Sequence, residues 1–483
     1  MKSFVHRHLA ALLGLGAFLL YVLTGSRTIQ WQDSGQFTLR IGLGRMENDW
    51  GLAMVHPLHY MLGRLAILIF PGNVPWAVTG VSALGGALSV GLVTGTVRKL
   101  TDQTAPALFA GLTLMLAHSF WRFSGLPEVY TLSAALLMLQ ILLWVRLRES
   151  GNPVYWICLL GANGLSWANH NLALLELAVL APVFLHEIIK KRVPVRVILP
   201  GVAFWMIGSL PYTALIVLHM AASGSFWPVV QSALFGHHFA EKVLNLNPVS
   251  VYLLVTCLFT LLSFPSLALP LAVYGGKKRW NRLAVPLALL ALHLLFVLRY
   301  NVIDQYTFLL PAMAVFALLA GLGYDAVTSA PLRRLAWGLL LAQPFLYGIA
   351  PTLARHAGVL GSFARDKPYR DDADYLLHPW THRENSAAKL AQNAVSAATP
   401  GSLLVVEDSM ALYAVEWQLH VRGMRDRVEV LRPADKERIL GALAAGEPVI
   451  RVPARAGSAP AEWESVGEVW RNIPLHPEPE EAP

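Results

Sequence analysis

Nine apolar runs of membrane-spanning length recur along this chain, at 9–25, 76–97, 105–121, 129–145, 197–218, 250–274, 283–299, 305–323 and 335–352. A helix needs about 20 apolar residues to cross the hydrocarbon core, with a range of roughly 17–25. Lipid offers backbone groups no partner, so a lone spanning segment must bond to itself as a helix. The chain is 55% hydrophobic and 14% charged, which argues for an integral membrane protein. Charge is unevenly placed. Residues 1–352 carry 11 Asp/Glu and the remaining 131 carry 19, so a membrane domain (1–352) is expected to precede a soluble one (353–475).

Two further regions need a separate reading. The run 153–186 has 34 residues, too long for one helix at about 1.5 Å per residue across about 30 Å. It reads as two short spans broken near Asn169-His170-Asn171. The run 54–70, MVHPLHYMLGRLAILIF, carries His56, Pro57, His59 and Arg64. Lys/Arg placement settles its role. The clusters at 98–99, 146–148, 190–192, 277–279 and 333–334, with Lys2, Arg7, Arg196 and Arg282, put 16 Lys/Arg on one face and leave seven on the other. The richer face is expected to be cytoplasmic. This parity holds only if 54–70 starts and ends outside, as an interfacial or re-entrant helix within the first extracytoplasmic loop, 26–75. The expected fold is a polytopic α-helical membrane protein of about 11 transmembrane helices with a small C-terminal extracytoplasmic α/β domain. The N-terminus, Lys2 and Arg7 ahead of an apolar core, reads as an uncleaved first span. Cys158 and Cys257 fall in apolar runs, so no disulfide framework is expected.

The same parity gathers Asp33, His56, Glu128, His170, His237, His238 and Asp304 on the extracytoplasmic side. Ionisable groups at a membrane edge are costly, and their convergence favours a site. Residues 365–475 alternate helix-like and strand-like stretches, which suggests a parallel sheet. Asp408 follows a strand and reads as the N-cap of the next helix. The end, 476–483, is expected to be disordered. The sequence contains no Walker loop and no dinucleotide fingerprint. The net charge of +8 is largely accounted for by loop Lys/Arg and does not point to nucleic acid.

The motifs WQDSGQF, HPLHYMLGRL, SFWRFSGLPEVYTL, GLSWANHN and NVIDQYTFLLPAMAVFALLAGLG occur in this order, followed in the tail by DKPYRDDADYLLHPW and SLLVVEDSMALYAVEWQL. Together they resemble a bacterial family related to protein O-mannosyltransferases, within the GT-C membrane glycosyltransferases. The resemblance implies an inner-membrane enzyme that moves a sugar from a polyprenyl-phosphate donor to an extracytoplasmic hydroxyl. The acceptor class stays open among protein, glycolipid and polysaccharide. It also implies a functional acid in the first outer loop, which Asp33 matches, and raises a divalent metal. Here Asp33 stands as a single acid, with Glu47 and Asp49 outside the motif.

Transfer to a hydroxyl needs a base, a cation for the leaving phosphate and a groove for the lipid. Asp33 is the candidate base, where desolvation beside Trp31 and Phe37 would raise its pKa. Its bland alternative role is as the cap of a helix starting near Ser34. Arg122 and Arg299 are candidate phosphate ligands, with Arg64, Arg40 and Arg45 as further outer cations. His56, His59, Glu128, His170 and Asp304 complete the substrate-binding candidates. Glu176 lies inside a span and reads as an internal partner. A transporter or flippase is the competing class, since it too would have broken helices and embedded charge.

Overall fold

The computed structural model describes residues 2–302, 304–361, 364–457 and 463–472. The expected disordered end lies outside the described residues. Helix α1 (Lys2–Thr24) leads into the first loop, which holds α2 (Gln32–Leu43) and α3 (Pro57–Ile69). There follow α4 (Val74–Thr101), α5 (Thr104–Met115), α6 (His118–Ser124), α7 (Tyr130–Ser150), α8 (Val154–Asn169), α9 (Ala173–Ile189) and α10 (Val195–Ser223). The second half holds α11 (Trp227–Phe235), α12 (Ala240–Leu244), α13 (Ser250–Ser263), α14 (Ala268–Lys278), α15 (Ala284–Arg299), α16 (Leu310–Ala326) and α17 (Ala330–Ala357).

Each expected span coincides with one of these helices or with a bent pair. By length and apolarity alone, however, four described helices qualify as crossings, and six if each bent pair counts as one. The break in 153–186 falls between α8 and α9. Two further breaks depart from the continuous spans expected. The axes of α5 and α6 differ by 66°, and those of α13 and α14 by 92°. Pro265 accounts for the second break: it has no N–H and disfavours a helical Phe264.

A break inside a membrane frees backbone groups that must find partners. The carbonyls of Met115 and Leu116 accept from the hydroxyls of Tyr21 and Tyr347, each at 3.1 Å. The two breaks also bond to each other. Ser263 Oγ accepts from Ser119 N at 3.1 Å and donates to Ser119 Oγ at 3.0 Å. Elsewhere small residues bring helices together. A Cβ on Gly164 of α8 would lie 2.2 Å from the Trp205 carbonyl oxygen of α10, so this pair needs glycine.

The tail holds α18 (Asp372–Leu377), α19 (Ser386–Ala397), α20 (Ser409–Val421) and α21 (Lys436–Ala444) around a five-stranded sheet. Its strands are β1 (Leu403–Val406), β2 (Glu429–Leu431), β3 (Val449–Val452), β4 (Trp463–Val466) and β5 (Val469–Asn472), in the order β2-β1-β3-β5-β4. The sheet is mixed, which corrects the parallel reading. β1 pairs parallel with β2 and β3, while β5 runs antiparallel to both β3 and β4. A tight turn at Gly467 (φ +64°) joins β4 to β5, so no crossover helix is needed. Asp408 caps α20 through Met410 N at 3.1 Å and pairs with Lys367 at 2.5 Å.

The tail does not hang free. Thr24 O at the end of α1 accepts from Thr381 N and His382 N, at 2.8 and 2.9 Å. Ile29, Trp31 and Leu39 share a buried core with α19 and α20. The tail therefore sits at the bundle end that bears the loops 25–73, 125–129, 170–172 and 300–304. The Lys/Arg clusters lie at the other end, where Lys99 pairs with Glu149 at 2.8 Å and Arg279 with Asp325 at 2.5 Å.

Candidate active site at the tail end of the bundle

Asp33 stands in the first turn of α2, where the helix dipole favours an anion. The N-cap is Trp31, not Asp33, and no side chain caps the helix. Among the described residues Asp33 makes no ion pair or hydrogen bond. Protein surrounds it, yet its side chain stays exposed, so it faces a solvent-accessible hollow. This crowding, and then the Asp304 charge, pushes its carboxyl up to about 7.

Glu128 is buried on the loop before α7 and is firmly held. Ser34 Oγ donates to its Oε1 at 2.8 Å. Ser82 Oγ accepts from its N–H and donates to its carbonyl, both at 2.8 Å. Burial first, then the Asp33 charge, raises the Glu128 carboxyl well above its ordinary value. Asp304, half-buried, is also raised by burial, against the lowering charges of Arg365 and Lys242. Three carboxyls from distant parts of the chain thus share one electrostatic neighbourhood, and burial raises each of them.

The three expected histidines form an aromatic wall rather than a cationic site. His56 stacks on His170 with centroids 4.9 Å apart, and Phe37 of α2 packs on His56 at 5.7 Å and His59 at 5.0 Å. His56 is left-handed (φ +51°), a costly conformation for a non-glycine residue, and its Nδ1 meets the Asn169 carbonyl at 2.8 Å. Burial lowers His56 to about 4 and His170 well below its usual value, so both rings are neutral. Leu172 N donates to His170 Nδ1 at 3.0 Å, which places the ring proton on Nε2.

The arginines at the tail end of the bundle divide by what they bond. Arg299 donates to the carbonyls of Val243 and Asn245 and braces the 240–249 segment. Arg64 donates to Ile41 and Gly42 carbonyls. Arg40, 7% exposed, holds the carbonyls of Met46, Glu47 and Met54 and organises the loop after α2. That loop walls a cavity of about 980 Å³ shared with the C-terminal end of α10 and with α11. Removing a buried donor strands each acceptor at about 1–3 kcal/mol. Arg40→Leu is therefore expected to destabilise the protein by at least about 3 kcal/mol. Thermal unfolding checks this, and an unchanged transition would dismiss the bracing role.

Arg122 differs. It is 4% exposed, has no carboxylate partner among the described residues, and gives one nitrogen to the His378 carbonyl at 3.3 Å. Its charge and those of Asp304 and Glu128 all act on Tyr306, so it borders the carboxyl cluster. Among the described residues no group of three His, Cys, Asp or Glu could hold a metal ion, so no step below runs through one. Glu176 lies apart within the spans, 0% exposed, accepting from Gln140 Nε2 at 2.5 Å. Sequence reasoning missed Ser34, Ser82, Arg365, Arg370 and Tyr375. No local signal marks them, because the groups they serve at the site, Glu128, Asp304, Trp31 and Arg122, lie far along the chain.

Comparison with known proteins adds to this geometry. A family model described as the protein O-mannosyl-transferase TMEM260 N-terminal domain matches residues 54–193. The mouse protein O-mannosyl-transferase TMEM260 is 27% identical over 234 residues, covering 46% of this chain and 32% of that protein. The chain thus spans about a third of that curated relative's length. Among solved structures, apo ArnT from Cupriavidus metallidurans superposes with a TM-score of 0.62 at 14% identity, covering 97% of this chain and 98% of that one. The same protein bound to undecaprenyl phosphate gives 0.60 at 15% identity, covering 96% and 98%. The chain has the ArnT fold. The motif resemblance to GT-C membrane glycosyltransferases related to protein O-mannosyltransferases is borne out.

Proposed function

We propose that this protein transfers a sugar from a polyprenyl-phosphate carrier to an acceptor hydroxyl at the extracytoplasmic face of a bacterial inner membrane. The observation that carries this reading is Asp33: exposed, unpaired, and crowded by two other carboxyls beside the buried cation Arg122. Names of relatives support it, since one is a protein O-mannosyl-transferase and one was solved with undecaprenyl phosphate.

In the proposed step the acceptor oxygen attacks the anomeric carbon and its proton passes to Asp33. The bond from that carbon to the phosphate oxygen breaks, and its electron pair leaves with the polyprenyl phosphate. Arg122 meets the charge that develops there. Glu128, which accepts from Ser34 Oγ, fixes the start of α2 beside it, and the Asp304 charge raises the Asp33 proton affinity. The cavity beside the 44–55 loop offers an approach for the acceptor, whether protein, glycolipid or polysaccharide.

The test is transfer by purified protein from polyprenyl-phosphate-linked hexoses to envelope fractions, read by mass spectrometry. No glycosylated product with any donor, together with substrate counterflow in proteoliposomes, would favour a transporter instead. The polar groups gather at one end of the bundle rather than at its middle, which supports the enzyme.

The membrane orientation is tested separately. Cys158 and Cys257 are exposed and must first be replaced. Single cysteines in 225–245 and in the tail are then expected to react with an impermeant reagent from outside. Labelling of 277–282 from that side would reverse the orientation.

A further inference from the structure

Among the described residues, both partners of the buried Arg122 guanidinium come from the tail. Its guanidinium carbon lies 4.5 Å from the centroid of the Tyr375 ring, and its Nη1 donates to the His378 carbonyl at 3.3 Å. A second cation shares that ring. The guanidinium carbon of Arg370 lies 4.2 Å from the Tyr375 centroid and 5.6 Å from the Trp31 ring. Trp31 is the N-cap of α2, two residues before Asp33, and its indole donates to Ser386 Oγ at 2.8 Å. One run of stacked groups, Trp31–Arg370–Tyr375–Arg122, therefore joins the start of the Asp33 helix to the cation in the last turn of α6.

The two arginines are not equivalent. Arg370 pairs with Asp372 at 2.6 Å, with side chains 2% and 6% exposed, so its charge is balanced. Among the described residues no carboxylate pairs with Arg122, and its charge lies against the face of Tyr375. A ring face attracts a guanidinium without neutralising it, whereas a carboxylate would occupy the donors that a phosphate needs. Holding a cation this way keeps its fork available, and fixing it in advance avoids reorganisation when charge develops.

We infer that Arg370 and Tyr375 are positioning residues: the tail holds Arg122 at a set place relative to Asp33, so the soluble domain is part of the transfer machinery. This rests on reading Arg122 as the phosphate ligand. The tail would then act on turnover rather than on donor capture, since a loosened Arg122 still attracts phosphate but meets the leaving oxygen in the wrong place.

The test uses the full-length protein in lipid nanodiscs. Tyr375→Leu is expected to lower kcat about tenfold, as loss of one partly desolvated cation–π contact would, with KM for the donor little changed. Tyr375→Phe retains the ring and should restore most of the transfer. In an Arg122→Ala background, Tyr375→Leu should have no further effect, because the group it positions is gone. If Tyr375→Leu proves unstable, pentafluorophenylalanine at 375 keeps the ring shape while reversing its face charge, and should lower kcat alike. Normal kcat in these variants, or losses that add to that of Arg122→Ala, would overturn the inference while leaving the transferase reading intact. Absence of transfer by the wild-type protein would overturn that reading, and this inference with it.

Discussion

Asp33→Asn is expected to abolish most sugar transfer, by about 10²–10⁴ in rate, while the protein still folds and binds its donor. The amide keeps the shape and polarity of the carboxylate but cannot take the acceptor proton. The protein's pH dependence should report the same group. With the Asp33 carboxyl raised to about 7, the base form grows as pH rises, so transfer should climb through that region and level off above it. In the Asn variant this limb should vanish along with the rate. Stability should move the opposite way. A carboxyl whose proton is held more tightly in the folded state than in the unfolded one lowers stability as pH rises from about 4 to about 7. Asp33→Asn removes that penalty, so the variant should unfold no more readily than wild type at pH 8. A stable Asp33→Asn protein with near-normal turnover would remove Asp33 from the mechanism.

Arg122→Ala carries the second large effect. Loss of a preorganised cation aimed at developing charge typically costs about 10²–10³ in rate. Arg122→Lys keeps charge but not the fork, and should recover only part of the loss. Arg299→Lys is the contrast. Its guanidinium already serves the carbonyls of Val243 and Asn245, so its replacement should appear in thermal stability before turnover. The reverse pattern, with Arg299→Lys failing in turnover and Arg122→Ala near normal, would move the phosphate to the 240–249 segment.

Much of this was readable from local pattern. Apolar runs and Lys/Arg clusters gave the helices, their order and the end at which the loops gather, because helix length and charge placement are properties of contiguous residues. The alternation in the tail marked its first three strands for the same reason. The β4–β5 hairpin was not legible: its two short strands, WESV and VWRN, carry charge, and only pairing with β3 makes them a sheet edge. The bend at 116–117 has no proline to announce it, and it exists because Tyr21 and Tyr347 receive the freed carbonyls.

The site divides along the same line. Asp33, Glu128, Asp304 and Arg122 stood out because charge is rare in residues 1–352, and rarity is visible in a sequence. What each charge does was not visible. Arg122 and Arg299 occupy similar places at helix ends, yet one faces an aromatic ring of the tail and the other is tied to backbone carbonyls. His56 and His59 read as substrate-binding candidates, and that both rings pack on Phe37 was equally invisible. Sequence alone determined which residues could do chemistry, because that is a property of each side chain and its neighbours along the chain. Only the tertiary structure decided which of them remain free to act. Freedom depends on whether some distant group has already taken up the charge or hydrogen bonds: the carbonyls of Val243 and Asn245 occupy Arg299, whereas the Tyr375 ring leaves the Arg122 fork open.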